Sequence, residues 1–326
     1  MLRPASLLLS PLVVALFGLA LAPIAHAQSP ARTVGDTIPL ATEGEVTVDN
    51  HEGSITITTW DRDQVRFEAE IMSTDEDPGA EKVTIRTRTT ADHLRLATSH
   101  DDGDDESVVF GFDEDGFRWG GINIPAVHYT ITMPRTATLT IDDHESRIDV
   151  TGHAGPLRID SHEGPISIAE QRGGVTIDAH ESSILISNQS GDVTLETHEG
   201  RMELRQITGR LSVDTHDGEL IGEGLNGGVR FESHDGNASM AFATLPDDVL
   251  VDTHDGNLTL TVPPDAGFDL TTDFDDDADL RSDFDLRRIR LEDEDDDEVN
   301  YRGDVNGGGP EIRLESSDGD FTLHSR

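Results

Sequence analysis

"VTIDAHESSILISNQSGD", residues 175–192, contains two short runs in which apolar and polar side chains alternate. Val175 and Ile177 form one pair, and Ile184 and Ile186 form a second pair nine positions on. A period of two marks a β-strand. Eighteen residues upstream the chain reads "LRIDSHEGPISIAEQRGG", and eighteen downstream "VTLETHEGRMELRQITGR". The apolar positions recur as columns: Leu157, Val175, Val193, Leu211, Val229, and two residues on Ile159, Ile177, Leu195, Val213, Phe231. Ile148, Ile166, Ile184, Met202, Leu220 and Val150, Ile168, Ile186, Leu204 supply the other strand. Two strands per 18-residue repeat, each with two inward side chains, predict an all-β, two-sided parallel β-solenoid with coils ~4.8 Å apart. A hexapeptide helix would place an apolar residue every six positions, and this chain shows nine plus nine.

A histidine returns on the same beat: His144, His162, His180, His198, His216, His234, then His254 after a two-residue insertion near Pro246. An acid stands two residues before each (Asp142, Asp160, Asp178, Glu196, Asp214, Glu232, Asp252) and another directly after. The intervening position varies through Asp143, Ser161, Ala179, Thr197, Thr215 and Ser233. A glycine column (Gly155, Gly173, Gly191, Gly209, Gly227) lies on the far side, so glycines and His-acid-Gly/Ser triplets are assigned to the two turns.

Residues 45–57 and 311–323 keep the columns, the latter with Ser317 in the histidine slot. Between the first coil and residue 139 run longer alternating segments ("QVRFEAEI", "KVTIRTR", "HLRLATS", "VHYTITMP"), read as N-terminal antiparallel strands capping one end. The implied divisions are 1–27, a secretory signal peptide; 28–138, first coil plus strand meander; 139–262, the regular solenoid; and 263–326, an acidic irregular segment and a C-terminal capping coil. The signal peptide is read from Arg3, the apolar run after it and the "AHA" ending at Ala27. Residues 101–106 and 292–298 are acidic runs expected as exposed loops, and 269–290 an irregular strand pair.

With 66 Asp+Glu against 24 Lys+Arg, a formal net charge of -42, the chain repels nucleic acid and anionic surfaces and favours cations. No later segment approaches a membrane span, and the absence of Cys removes disulfides and thiol chemistry. The expected setting is the periplasm or cell surface, and the expected partner an envelope or extracellular ligand.

An export signal leading into "VTVDNHEGSITITTWDRDQVRFEAE", then "MPRTATLTIDDHESRIDV" and repeats such as "VDTHDGNLTL", resembles the "putative adhesin" β-strand-repeat family (domain-of-unknown-function family 4097). That family typically reads Ser-Gly-Asp where this chain reads His-Asp/Glu-Gly. The resemblance spans about residues 45–323 and implies an envelope β-solenoid without catalytic residues; fold alone does not give function.

Three readings of the histidine column follow. As scaffold, His-acid pairs satisfy turn hydrogen bonds copied by duplication. As a partner-binding edge, they present an acidic, histidine-laddered strip for adhesion, matrix contact or envelope scaffolding. As a metal ladder in a divalent transition-metal-binding periplasmic protein, His162, His180, His198 and His216 with Asp160, Asp178, Glu196 and Asp214 offer N and O donors to Zn or Cu. On that reading the central coils dominate, because an end coil lacks a neighbour on one side. Calcium fits less well, since calcium β-rolls carry GGxGxD turns that are missing here. Flanking acids are expected to raise the histidine pKa values. The minimal coils lack loops long enough to wall a cleft, which argues against an enzyme.

Overall fold

A computed structural model describes residues 30–73, 79–100, 125–290 and 299–326. The signal peptide and both acidic runs lie outside the described residues. The described residues contain no α-helix. A two-sided parallel β-solenoid is built as the alternation dictates, with antiparallel strands at the N-terminal end.

The chain opens with β1 (Arg32–Pro39), β2 (Glu45–Asp49), β3 (Glu52–Trp60), β4 (Gln64–Ile71), β5 (Val83–Thr89), β6 (His93–His100) and β7 (Val127–Pro134). β2 and β3 form the first coil in sequence but not the first in space. β6 pairs parallel with β2, and β7 parallel with β3. This outer coil is covered by antiparallel partners, β5 on β6 and β4 on β7, with β1 antiparallel to β4. The expected meander is thus split between the two sheets.

β8 (Thr138–Thr151) runs through a whole coil and pairs with β2 and β3 on its outer side and with β9 and β10, the first of the regular coils, on its inner side. The regular coils follow: β9 (Leu157–Glu163) and β10 (Ile166–Ala169), β11 (Val175–Glu181) and β12 (Ile184–Ser190), β13 (Val193–Glu199) and β14 (Arg201–Thr208), β15 (Leu211–Thr215) and β16 (Glu219–Leu225), β17 (Val229–Ser233) and β18 (Ala238–Phe242), β19 (Val249–Asp255) and β20 (Leu258–Val262). Each strand pairs in parallel with its equivalents one repeat away, Val175 with Leu157 and Val193, Ile184 with Ile166 and Met202. Val229 faces Val249, so the two extra residues near Pro246 are absorbed in the turn.

Inward columns form the core: Ile159, Ile177, Leu195, Ile168, Ile186 and Leu204 are fully buried. Each such side chain contributes about 2 kcal/mol of burial, which a thin core repeated coil by coil can supply. The column that varies through Ser161, Ala179, Thr197 and Thr215 is also buried. It is a third inward position limited to small side chains, and Thr197 Oγ1 bonds Thr215 Oγ1 at 2.9 Å within it.

β21 (Phe268–Ser282), β22 (Arg287–Arg290), β23 (Val299–Val305) and β24 (Glu311–Ser325) close the other end. β24, read from sequence as the capping coil, pairs parallel with β19 and β20 on one side and with β21 on the other. Among the described residues β21 is the outermost coil, with β23 and β22 antiparallel beyond it. Residues 269–290 are therefore most of a full coil plus β22, rather than a strand pair.

Candidate functional site

The outer face of the first sheet carries two columns in register. The acids begin at Asp49 and continue through Asp142, Asp160, Asp178, Glu196, Asp214, Glu232, Asp252 and Glu315 to Asp273. Beside them stand His51, His144, His162, His180, His198, His216, His234 and His254, stacked face to face with ring centroids 4.7–5.0 Å apart and planes within 12°. The triplet assigned to a turn straddles the strand end: His162 and Glu163 are still strand in β9, and the chain turns at Gly164, whose φ is +110°.

That geometry decides which carboxylate meets each ring. Asp160 lies one pleat period before His162 on the same face, about 6.6 Å along the strand. The following acid turns back to Nδ1 instead. His162–Glu163 is 3.7 Å, His180–Glu181 3.6 Å and His198–Glu199 3.8 Å. With the shorter Asp in that position the contact tightens to 3.0 Å at His216–Asp217 and 2.8 Å at His234–Asp235. Asp178, Glu196 and Asp214 instead line a shallow, open groove with His180, His198 and His216 on its other bank.

The acid column is neutralised mainly toward its ends. Arg95 grips Asp49 through two bonds of 2.7 and 3.1 Å. Arg158 stands 4.0 Å from Asp160, and Arg230 and Arg313 pair with Glu232 and Glu315. The central coils carry Thr176, Thr194 and Ser212 where these arginines stand. Burial, a hydrogen bond to Asp49 and the neighbouring carboxylates push Asp142 up to about 6. Burial pushes Asp143 up to about 6 as well, although the Ser146 hydroxyl and amide hold its charged form. At His51 the shift runs against the expected rise: burial and the adjacent His144 lower its pKa, outweighing Glu145.

The sequence reading passed over a second polar column in the opposite turn. His153, Gln171 and Gln189 recur at the same spacing and are buried. Gln171 Nε2 donates to Gly155 O and Gln189 Nε2 to Gly173 O, both at 2.8 Å, while His153 Nε2 meets Ala137 O at 2.7 Å. These side chains satisfy turn carbonyls as the coils stack. The signal was the period itself, hidden by the change from His to Gln.

Stacked coils, a thin aliphatic core and one face of paired acid and imidazole columns define a repetitive β-solenoid. The family model described as Toastrack DUF4097 matches residues 44–324. The chain belongs to this family. Two solved structures are similar: a putative cell adhesion protein from Clostridium sporogenes ATCC 15579, at 7% identity over 90% of this chain and 100% of that one, TM-score 0.23; and a putative adhesin from Bacteroides fragilis NCTC 9343, at 13% identity over 92% of this chain and 99% of that one, TM-score 0.35. At these identities and scores the likeness says nothing of what this chain binds. No curated protein matches. No helix among the described residues is long and apolar enough to cross a membrane.

Proposed function

We propose that the protein is an exported, non-enzymatic solenoid acting in adhesion, matrix contact or envelope scaffolding through its acidic, histidine-laddered edge. The observation that carries this reading is the unbroken register of ten carboxylates from Asp49 to Asp273 beside eight stacked imidazoles. Adjacent carboxylates ~4.8 Å apart repel by about 0.9 kcal/mol in water before screening. Folding alone gains nothing from such a column, whereas a cationic polymer or surface laid along it relieves the repulsion at every coil. The groove is open and flat rather than walled, which suits an extended partner better than a reacting small molecule.

The test is retention of the purified protein on isolated envelope and matrix material. The triple change Asp178→Asn, Glu196→Gln and Asp214→Asn should reduce retention several-fold. An equal loss of charge elsewhere, Glu68→Gln, Glu223→Gln and Asp265→Asn, should leave it unchanged. Equal retention by both variants and the parent would remove the edge from the account.

A further inference from the structure

We propose that the C-terminal end of the imidazole stack is a transition-metal site, with His234 and Asp235 as a preset chelate and His254 closing on the same ion. The inference is independent of the partner reading above.

Two donors on one ion with bonds of about 2.1 Å can stand no more than about 4.2 Å apart, and about 3.4 Å in a tetrahedral set. Parallel rings with centroids 4.8–5.0 Å apart hold equivalent nitrogens beyond that limit. A stacked pair therefore chelates only if one ring tilts. Inside the stack a tilting ring gives up two faces, as His180 does between His162 and His198. His254 has a ring on one side only. It stacks on His234 at 4.9 Å, and the next coil, aligned through Asp255 and Asp318, carries Ser317 in the histidine position. The Ser317 hydroxyl is engaged by Asp275 at 3.2 Å. His51, the first ring of the stack, is half-buried, whereas His254 is exposed, so His254 is the ring that can turn at least cost, and the proposed site falls at this end rather than in the central coils.

The chemistry of the donors agrees. His234 Nδ1 and Asp235 Oδ1 already stand 2.8 Å apart, a distance an ion can bridge by displacing the proton between them. Among the described residues, the set of three histidine and carboxylate side chains whose donor atoms all lie within 4.8 Å of one another is His234, Asp235 and His254. Two imidazoles and one carboxylate suit Zn²⁺ or Cu²⁺ and leave a fourth position for water or a partner's donor. Asp255 and Asp318, in register beside it, add negative charge that favours a dication.

The experiment is calorimetric titration of the purified protein, as the producing cell processes it, with Zn²⁺ and separately with Cu²⁺. Electron paramagnetic resonance is then recorded on the Cu²⁺ form. One equivalent should bind saturably, with coupling to two nitrogens. His254→Asn and Asp235→Asn should each weaken binding by more than about tenfold, a loss that even supporting residues of metal sites can cause. The double change His180→Asn with His198→Asn should leave binding intact. All these side chains are exposed, so metal-free melting and circular dichroism should match the parent and establish folding. Several equivalents lost on changing His180 and His198, equal losses from both sets, or no saturable binding would each overturn the proposal.

Discussion

At Asp143 the regular coil breaks its own rule. Its column is otherwise the small inward position filled by Ser161, Ala179, Thr197 and Thr215. A carboxylate there is taken partly out of water, and its Oδ2 accepts the Ser146 amide at 2.6 Å. Its pKa is raised to about 6 from a usual 3.8. A raised acid binds its proton more tightly when folded. Its favourable contribution is therefore fully present below 3.8 and lost as pH rises through about 6. The loss approaches about 3 kcal/mol at neutral pH, at 1.36 kcal/mol per unit. Asp143→Asn keeps an acceptor for Ser146 and removes the charge. Urea unfolding should show the variant more stable than the parent by up to about 3 kcal/mol at pH 7.5 and about equal at pH 4. His51, whose pKa burial lowers, acts in the opposite sense: its neutral form adds stability above about 6.5 that is lost as pH falls. It is common to both proteins and cancels in the difference. A variant advantage that is constant across pH would remove the buried charge as its cause.

Within a coil, β11 shows how inward and outward positions are sorted. Ile177 is fully buried between the sheets, paired in register with Ile159 and Leu195, while Thr176 looks outward between Arg158 and Thr194. Ile177→Asp places an unpaired carboxylate in the thin core and should cost several kcal/mol, unfolding the neighbouring coils with it. Thr176→Asn should stay within about 0.5 kcal/mol. Comparable shifts in urea midpoint at the two positions would mean that the facing is wrong. This sorting was legible in the sequence because a solenoid turns a period along the chain into a stacking distance, so Ile159, Ile177 and Leu195 had to meet. Gly173 was legible as a column but not as a cause: a Cβ there would fall inside contact distance of the Gly155 carbonyl oxygen, so close coil approach excludes a side chain. The histidine stack was legible for the same reason. Which acid reaches Nδ1 was not, since that depends on the bend at Gly164 bringing Glu163 back toward His162. The ends were least legible, because β2 and β24 take places in the stack that chain order does not give.

Across the whole molecule, a parallel stack is stable only as far as its last coil is covered. Both ends solve this in the same way. At the C-terminal end the chain passes from β20 beyond the next vacant position to build β21, adds β22 and β23, and returns as β24 to fill the gap; at the N-terminal end the order is reversed, with β2 and β3 made first, the outer β6 and β7 after them, and β8 then closing the inner side. In both cases antiparallel strands cover the outer coil and one coil is sandwiched beneath it. At one end β2 lies between β6 and β8; at the other β24 lies between β20 and β21. The edge strand β5 carries Arg86 and Arg88, and charge on an edge discourages further pairing. Removing residues 265–308 tests the cap directly. Pro264 would then join Gly309, leaving a short turn between β20 and β24 like those joining other coils. β24 would keep its parallel bonds to β19 and β20 but lose β21, exposing the peptide groups along a 15-residue strand. An uncovered strand of that length is a template for a second chain. Sedimentation velocity should show concentration-dependent association of the shortened protein that the intact protein lacks, together with a lower melting temperature. A shortened protein that sediments and melts like the intact one would mean that β24 is a sufficient end by itself, and that β21 to β23 serve some purpose other than closing the solenoid.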